Sequence, residues 1–138
     1  MKVVTRQFGE LEVSEENIIH FPQGIIGFED YKKFIIINDE DSEPFRWLIS
    51  LDKEEFGFPV LNPLLVKKEY LEHFPPKLSK ELNSKETLAD LFCVVTLKGE
   101  DGKMTVNLKG PIIIDYSVKE GKQVILTPEE LPVSYAIN

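Results

Sequence analysis

The chain has 138 residues, 42% hydrophobic and 29% charged, a balance that supports one folded domain over residues 1–138 and excludes a disordered chain. Asp and Glu outnumber Lys and Arg by 24 to 16, and the net charge of −8 repels phosphate backbones, so no direct nucleic-acid binding is expected and basic protein partners are favoured. No segment has the ~18 consecutive apolar residues of a membrane helix and the N-terminus lacks a signal-peptide core, so no membrane association and a cytoplasmic location are expected.

The opening KVVTRQFGELEVS places β-favouring runs either side of Gly9 and predicts a hairpin or tight bend, with ENIIHF continuing as strand. In FPQGIIGFED, residues 21–30, Pro22 fixes φ while Gly24 and Gly27 permit positive φ or close backbone approach. A shaped turn is expected, delivering Phe21 and Phe28 to the core. A tight loop tends to send the adjacent Ile25 and Ile26 opposite ways, leaving one exposed, and both are taken as candidate partner contacts. Phe28, Tyr31 and Phe34, spaced by three, predict one or two helical turns before FIIIN resumes as strand.

DEDSEP reads as a polar loop. FRWLISL predicts a one-sided strand with Phe45, Trp47, Ile49 and Leu51 inward, Trp47 anchoring the core, and Arg46, Leu48 and Ser50 outward. Pro59 and Pro63 predict short, edge-like or bent strands. Short helices are expected at Glu69–His73 and Ser79–Leu82, split by Pro75 and Pro76. The last third predicts two hairpins, LFCVVTLK to KMTVNLK across the turn GEDG and GPIIIDYS to KQVILT across the turn VKEG. Eight to eleven short strands with scraps of helix amount to a mainly β, compact antiparallel β-barrel-like domain with short helical segments.

Catalytic and metal constellations are missing from the sequence. His20 and His73 have no zinc-site spacing, and no Walker, G-x-G-x-x-G or G-x-S-x-G motif occurs. DEDSEP falls short of a calcium loop because Pro44 stands where glycine is required and Ser50 where glutamate is. GIIG, flanked by strand and turn and followed by Glu29 and Asp30, does not read as a nucleic-acid-clamping GXXG loop. Cys93, in an apolar run, reads as core. No enzyme activity, cofactor or metal is expected; His20, Asp30, Tyr31 and Asp115 are the groups to watch should the barrel instead be an enzyme or hold a small ligand. Between Asp39 and Glu55 the chain carries seven acids, Asp39, Glu40, Asp41, Glu43, Asp52, Glu54 and Glu55, against Arg46 and Lys53. This run reads either as a solvated face or as a docking surface for a basic protein.

FPQGIIGFEDYKKF, PFRWLISLD, FPVLNPLLV and VNLKGPIIID, in this order and spacing, resemble the flagellar assembly factor family FliW over nearly the whole chain. Ile49 departs from the resemblance, which favours glutamine there. The resemblance implies a non-enzymatic, cytoplasmic regulator that binds flagellin before export and also binds CsrA, an RNA-binding repressor of flagellin synthesis, the two partners competing. A monomer is expected. The implied alternative is a flagellin chaperone without regulatory duty.

Overall fold

The computed structural model describes residues 1–53, 56–83, 88–97, 102–126 and 131–137. Strands β1 (Lys2–Thr5) and β2 (Gly9–Glu12) form the expected hairpin. Gly9 takes φ 67°, and the Thr5 hydroxyl accepts from the Phe8 amide (2.9 Å) and donates to the Gly9 carbonyl (3.0 Å). A 3-10 turn at Glu15–Asn17 leads into β3, which is only Ile19–His20. Then come β4 (Lys33–Asn38), β5 (Arg46–Ser50) and β6 (Gly57–Leu61). After two 3-10 turns, Pro63–Leu65 and Tyr70–His73, helix α1 spans Pro76–Asn83. Pro76 starts this helix, because the first helical residue needs no N–H partner. The chain ends with β7 (Ala89–Thr96), β8 (Thr105–Val106), β9 (Ile112–Asp115), β10 (Glu120–Gln123) and β11 (Tyr135–Ala136).

Seven strands close a barrel in the order β7-β6-β5-β4-β3-β10-β9 and back to β7, while β8 and β11 extend from β7. The mainly β architecture with a short helix agrees with expectation. One seam differs: β3 and β10 run parallel and meet only at His20↔Glu120. Gly121, expected in a turn, lies in β10 opposite Ile114, where a Cβ would come within 2.3 Å of the Phe21 ring. The turn before it is therefore Tyr116–Lys119, opened by the Asp115 carboxylate, which accepts from the Ser117 amide and hydroxyl (2.9 and 2.5 Å). Of the expected GEDG turn, residues 99–101 lie outside the described residues.

Side chains alternate between two environments, and both are apolar. Phe34, Leu48, Val60, Phe92, Ile112 and Ile114 fill the barrel with Phe21. The intervening Leu91, Cys93, Val95 and Ile113 face outward and are covered by Tyr70 and Phe74, with Leu78 and Leu82 of α1 beside them. Ile35 and Ile49 face the β1–β2 hairpin through Val3 and Val13, and Trp47 packs edge-on against Phe8 at 5.9 Å. The FRWLISL strand is thus apolar on both faces, against the one-sided expectation: Leu48, Ile49 and Ser50 are all buried, and the half-buried Trp47 anchors the hairpin instead of the barrel interior. Strands covered on both sides carry unbroken apolar runs, which is why IIIN and LFCVV lack alternation. Pro59 sits within β6, yet the β6–β7 ladder begins only at Val60↔Val94, so its missing N–H breaks no rung there.

Candidate functional site

FPQGIIGFED folds as consecutive tight turns. The Gly24 amide donates to the Phe21 carbonyl (2.9 Å), Phe28 to Ile25 (2.6 Å) and Tyr31 to Phe28 (3.1 Å). Gly24 and Gly27 take φ 68° and 90°, and a Cβ on Gly24 would strike the Glu29 backbone at 2.6 Å, so glycine is required there twice over. The expected helical turns at 28–34 do not form. Their amides are already committed, because the Asp52 carboxylate accepts from Lys32 and Lys33 (2.6 and 2.9 Å) and holds this stretch extended into β4.

The loop sends its isoleucines apart. Ile25 is 3% exposed and belongs to the barrel interior, so it is a core side chain and offers no surface to a partner; Ile26, at the loop tip, is 59% exposed. The Ile26 amide donates to Gln123 Oε1 (2.9 Å), and Gln123 Nε2 donates to the Gly110 carbonyl (2.9 Å), which pins the tip to the barrel wall. Phe28 does not enter the core with Phe21. It joins Tyr31, Phe56 and Phe58 in a half-buried aromatic group, with centroids 4.3 Å apart for Phe28–Phe56 and 4.7 Å for Phe56–Phe58. Phe56 and Phe58 escaped the sequence reading, although FGF just before Pro59 carried the signal. Beside this loop, Pro22, Gln23, Leu78, Leu82, Ile113 and Val118 line a groove of about 440 Å³.

The acidic run does not form one surface. Asp39, Glu40, Asp41 and Glu43 lie in the β4–β5 connection, whereas Asp52 lies beyond the far end of β5, and five residues of strand separate them by roughly 17 Å. Glu54 and Glu55 lie outside the described residues. Two of the acids have local work: Asp52 holds Lys32 and Lys33, and Asp39 accepts from the Asp41 amide (3.3 Å) and the Ser42 hydroxyl (3.0 Å). Glu40, Asp41 and Glu43 are exposed, and among the described residues none of them makes an ion pair. Glu16 lines a groove with Asn38 and Arg46 and so adds an acid at this barrel end, which the run from Asp39 to Glu55 does not include.

The watched polar groups do not converge. His20 and Asp115 flank Glu120 on neighbouring strands, about 10 Å apart, and the Asp115 carboxylate is occupied by Ser117. Tyr31 belongs to the aromatic group. Burial pushes the Cys93 thiol up to about 12, and its S–H points to the Tyr70 hydroxyl at 3.7 Å, as suits a core side chain. No group of three or more metal-ligating side chains occurs among the described residues. No helix among them is long and apolar enough to cross a membrane.

The profile of the family described as FliW protein matches residues 2–137. The flagellar assembly factor FliW of Caldicellulosiruptor saccharolyticus is 44% identical over 136 residues, covering 96% of this chain and 88% of that protein. That of Leptospira interrogans serogroup Icterohaemorrhagiae serovar copenhageni is 41% identical (91% and 85%), and that of Thermotoga maritima 36% (99% and 93%). A crystal structure of the flagellar assembly factor FliW aligns with TM-score 0.82 and 30% identity over 99% of this chain and 96% of that one. The chain belongs to the FliW family of flagellar assembly factors.

Proposed function

We propose that the protein binds flagellin before export and antagonises the translational repressor CsrA by partner switching, as a monomeric, non-enzymatic cytoplasmic regulator acting as one domain. The observation that carries this reading is the family match across residues 2–137. Two features support it. Ile26 presents an apolar side chain at a pinned loop tip, and the groove beside that loop has Leu78, Leu82, Ile113 and Val118 in its lining, chemistry suited to the apolar stripe of a flagellin helix. At the opposite end of β5, Glu40, Asp41 and Glu43 are exposed, make no ion pair among the described residues, and offer negative charge to a basic RNA-binding partner. The barrel interior is filled by Phe21, Phe34, Leu48 and their neighbours, which disfavours a ligand-holding barrel.

Isothermal titration with flagellin and with CsrA from the same bacterium, at two salt concentrations, tests the proposal. Binding of both is expected, with the CsrA affinity falling as salt rises. Binding of flagellin alone would reduce the protein to a chaperone, and binding of neither would refute the reading.

A further inference from the structure

The barrel wall has an open strand edge. In β4 the Lys33 carbonyl accepts from Leu51, and the Lys32 carbonyl on the opposite side accepts from Phe21 (2.8 and 2.7 Å), so the main-chain groups of even-numbered residues face β3. β3 covers β4 only at Ile19↔Phe34 and His20↔Lys33. The chain before it turns away into the 3-10 turn at Glu15–Asn17, leaving the edge-facing amides and carbonyls of Ile36 and Asn38 without a strand partner among the described residues. A groove of about 550 Å³ adjoins them, with Leu11, Ile19 and Ile36 among its apolar lining and Glu16, Tyr116 and Lys119 among its polar lining.

We infer that this edge accepts an extended, basic segment of a partner protein as an added β-strand. Unpaired ladder groups are satisfied by another extended backbone, and apolar neighbours receive alternate side chains of such a segment. Charge selects the kind of segment. Glu16 lines the groove together with Asn38, and Glu40, Asp41 and Glu43 follow Asn38 in the β4–β5 connection, all of them exposed and outside any ion pair among the described residues. The nearby Arg46 is engaged with the Asn38 side chain. The inference goes beyond the proposed function because it needs no particular partner and stands on the strand edge and its surrounding charge.

The probe is a synthetic acetylated peptide alternating lysine with valine, followed by amide exchange and NMR titration of the intact protein. The Ile36 amide is expected to exchange freely in the protein alone, and to slow at least about tenfold with peptide bound, while the β5-facing Ile35 amide changes little. A peptide with alternate amides N-methylated, and one with glutamate in place of lysine, should not bind. The Glu16→Lys, Glu43→Lys double variant should keep its circular dichroism spectrum and lose about tenfold in affinity. Protection of Ile36 in the free protein, equal binding of the N-methylated peptide, or no binding of the lysine peptide would each overturn the inference. Those results leave the flagellin and CsrA titrations untouched, so the two readings fail separately.

Discussion

Gly24 and Gly27 decide what the loop can present. With a positive φ at each glycine, the chain reverses between them, Ile25 drops into the barrel, and Ile26 is left at the tip. Ile26→Asp should leave stability within about 0.5 kcal/mol of the wild type, as exposed substitutions do, and abolish flagellin binding. Ile25→Asp should unfold the protein or cost more than about 4 kcal/mol in urea denaturation, because it buries an unpaired carboxylate. Equal effects at the two positions would contradict the division of labour. Glu29 offers a second check. The Gly27 amide donates to its carboxylate (3.1 Å), and backbone hydrogen bonds hold its pKa below the ordinary 4.5. A pKa lower in the folded state means that ionised Glu29 steadies the loop above the ordinary value, and that this contribution disappears as pH falls through the lowered one. The Gly27 amide shift should therefore titrate with a midpoint below 4.5. At this scale much was legible: Gly and Pro in FPQGIIGFED announced the turn, and the adjacent isoleucines announced that one of them would be exposed. Which one was not, since that depends on where the Phe21 turn delivers the chain to the barrel.

Among the elements, the barrel is closed by contacts that leave no room for added atoms. Gly121 lets β10 lie directly on the Phe21 ring, so Gly121→Ala should cost roughly 1–3 kcal/mol through forced repacking, measured by thermal or denaturant unfolding. Tyr70 ties the 3-10 turn before α1 to the barrel by donating to the Leu108 carbonyl, and burial pushes its phenol pKa up. Tyr70→Phe strands that buried carbonyl and should destabilise the fold by about 1–3 kcal/mol. Cys93 beneath it should stay unreactive to thiol reagents at pH 8 until the protein unfolds, because its thiolate form is suppressed. Strand existence was readable from apolar runs and turn residues, but strand faces were not. FRWLISL alternates well enough to read as one-sided, whereas the β1–β2 hairpin covers its outer face, a tertiary event with no local signature. The helical reading of FEDYKKF failed for a similar reason: its spacing of three is real, but Asp52, some twenty residues on, claims the amides that a helix would use.

Across the whole molecule, the acidic run of the sequence is divided between the two ends of β5, and of that run Glu40, Asp41 and Glu43 are exposed acids at the β4–β5 end. Asp41→Lys with Glu43→Lys should slow CsrA association several-fold at low salt and leave stability unchanged, while Asp52→Asn should loosen the loop at the other end without changing the CsrA association rate. The family was legible in the ordered motifs because they encode turns and core contacts spread along the chain. The surfaces were less so. The free edge of β4 follows from β3 stopping at Ile19, and no residue type in the sequence marks that stop. Partner switching is measured by a competition titration. Adding flagellin to the preformed complex with CsrA should release CsrA in proportion to the flagellin bound; a stable ternary complex, or failure of either partner to bind, would rule switching out.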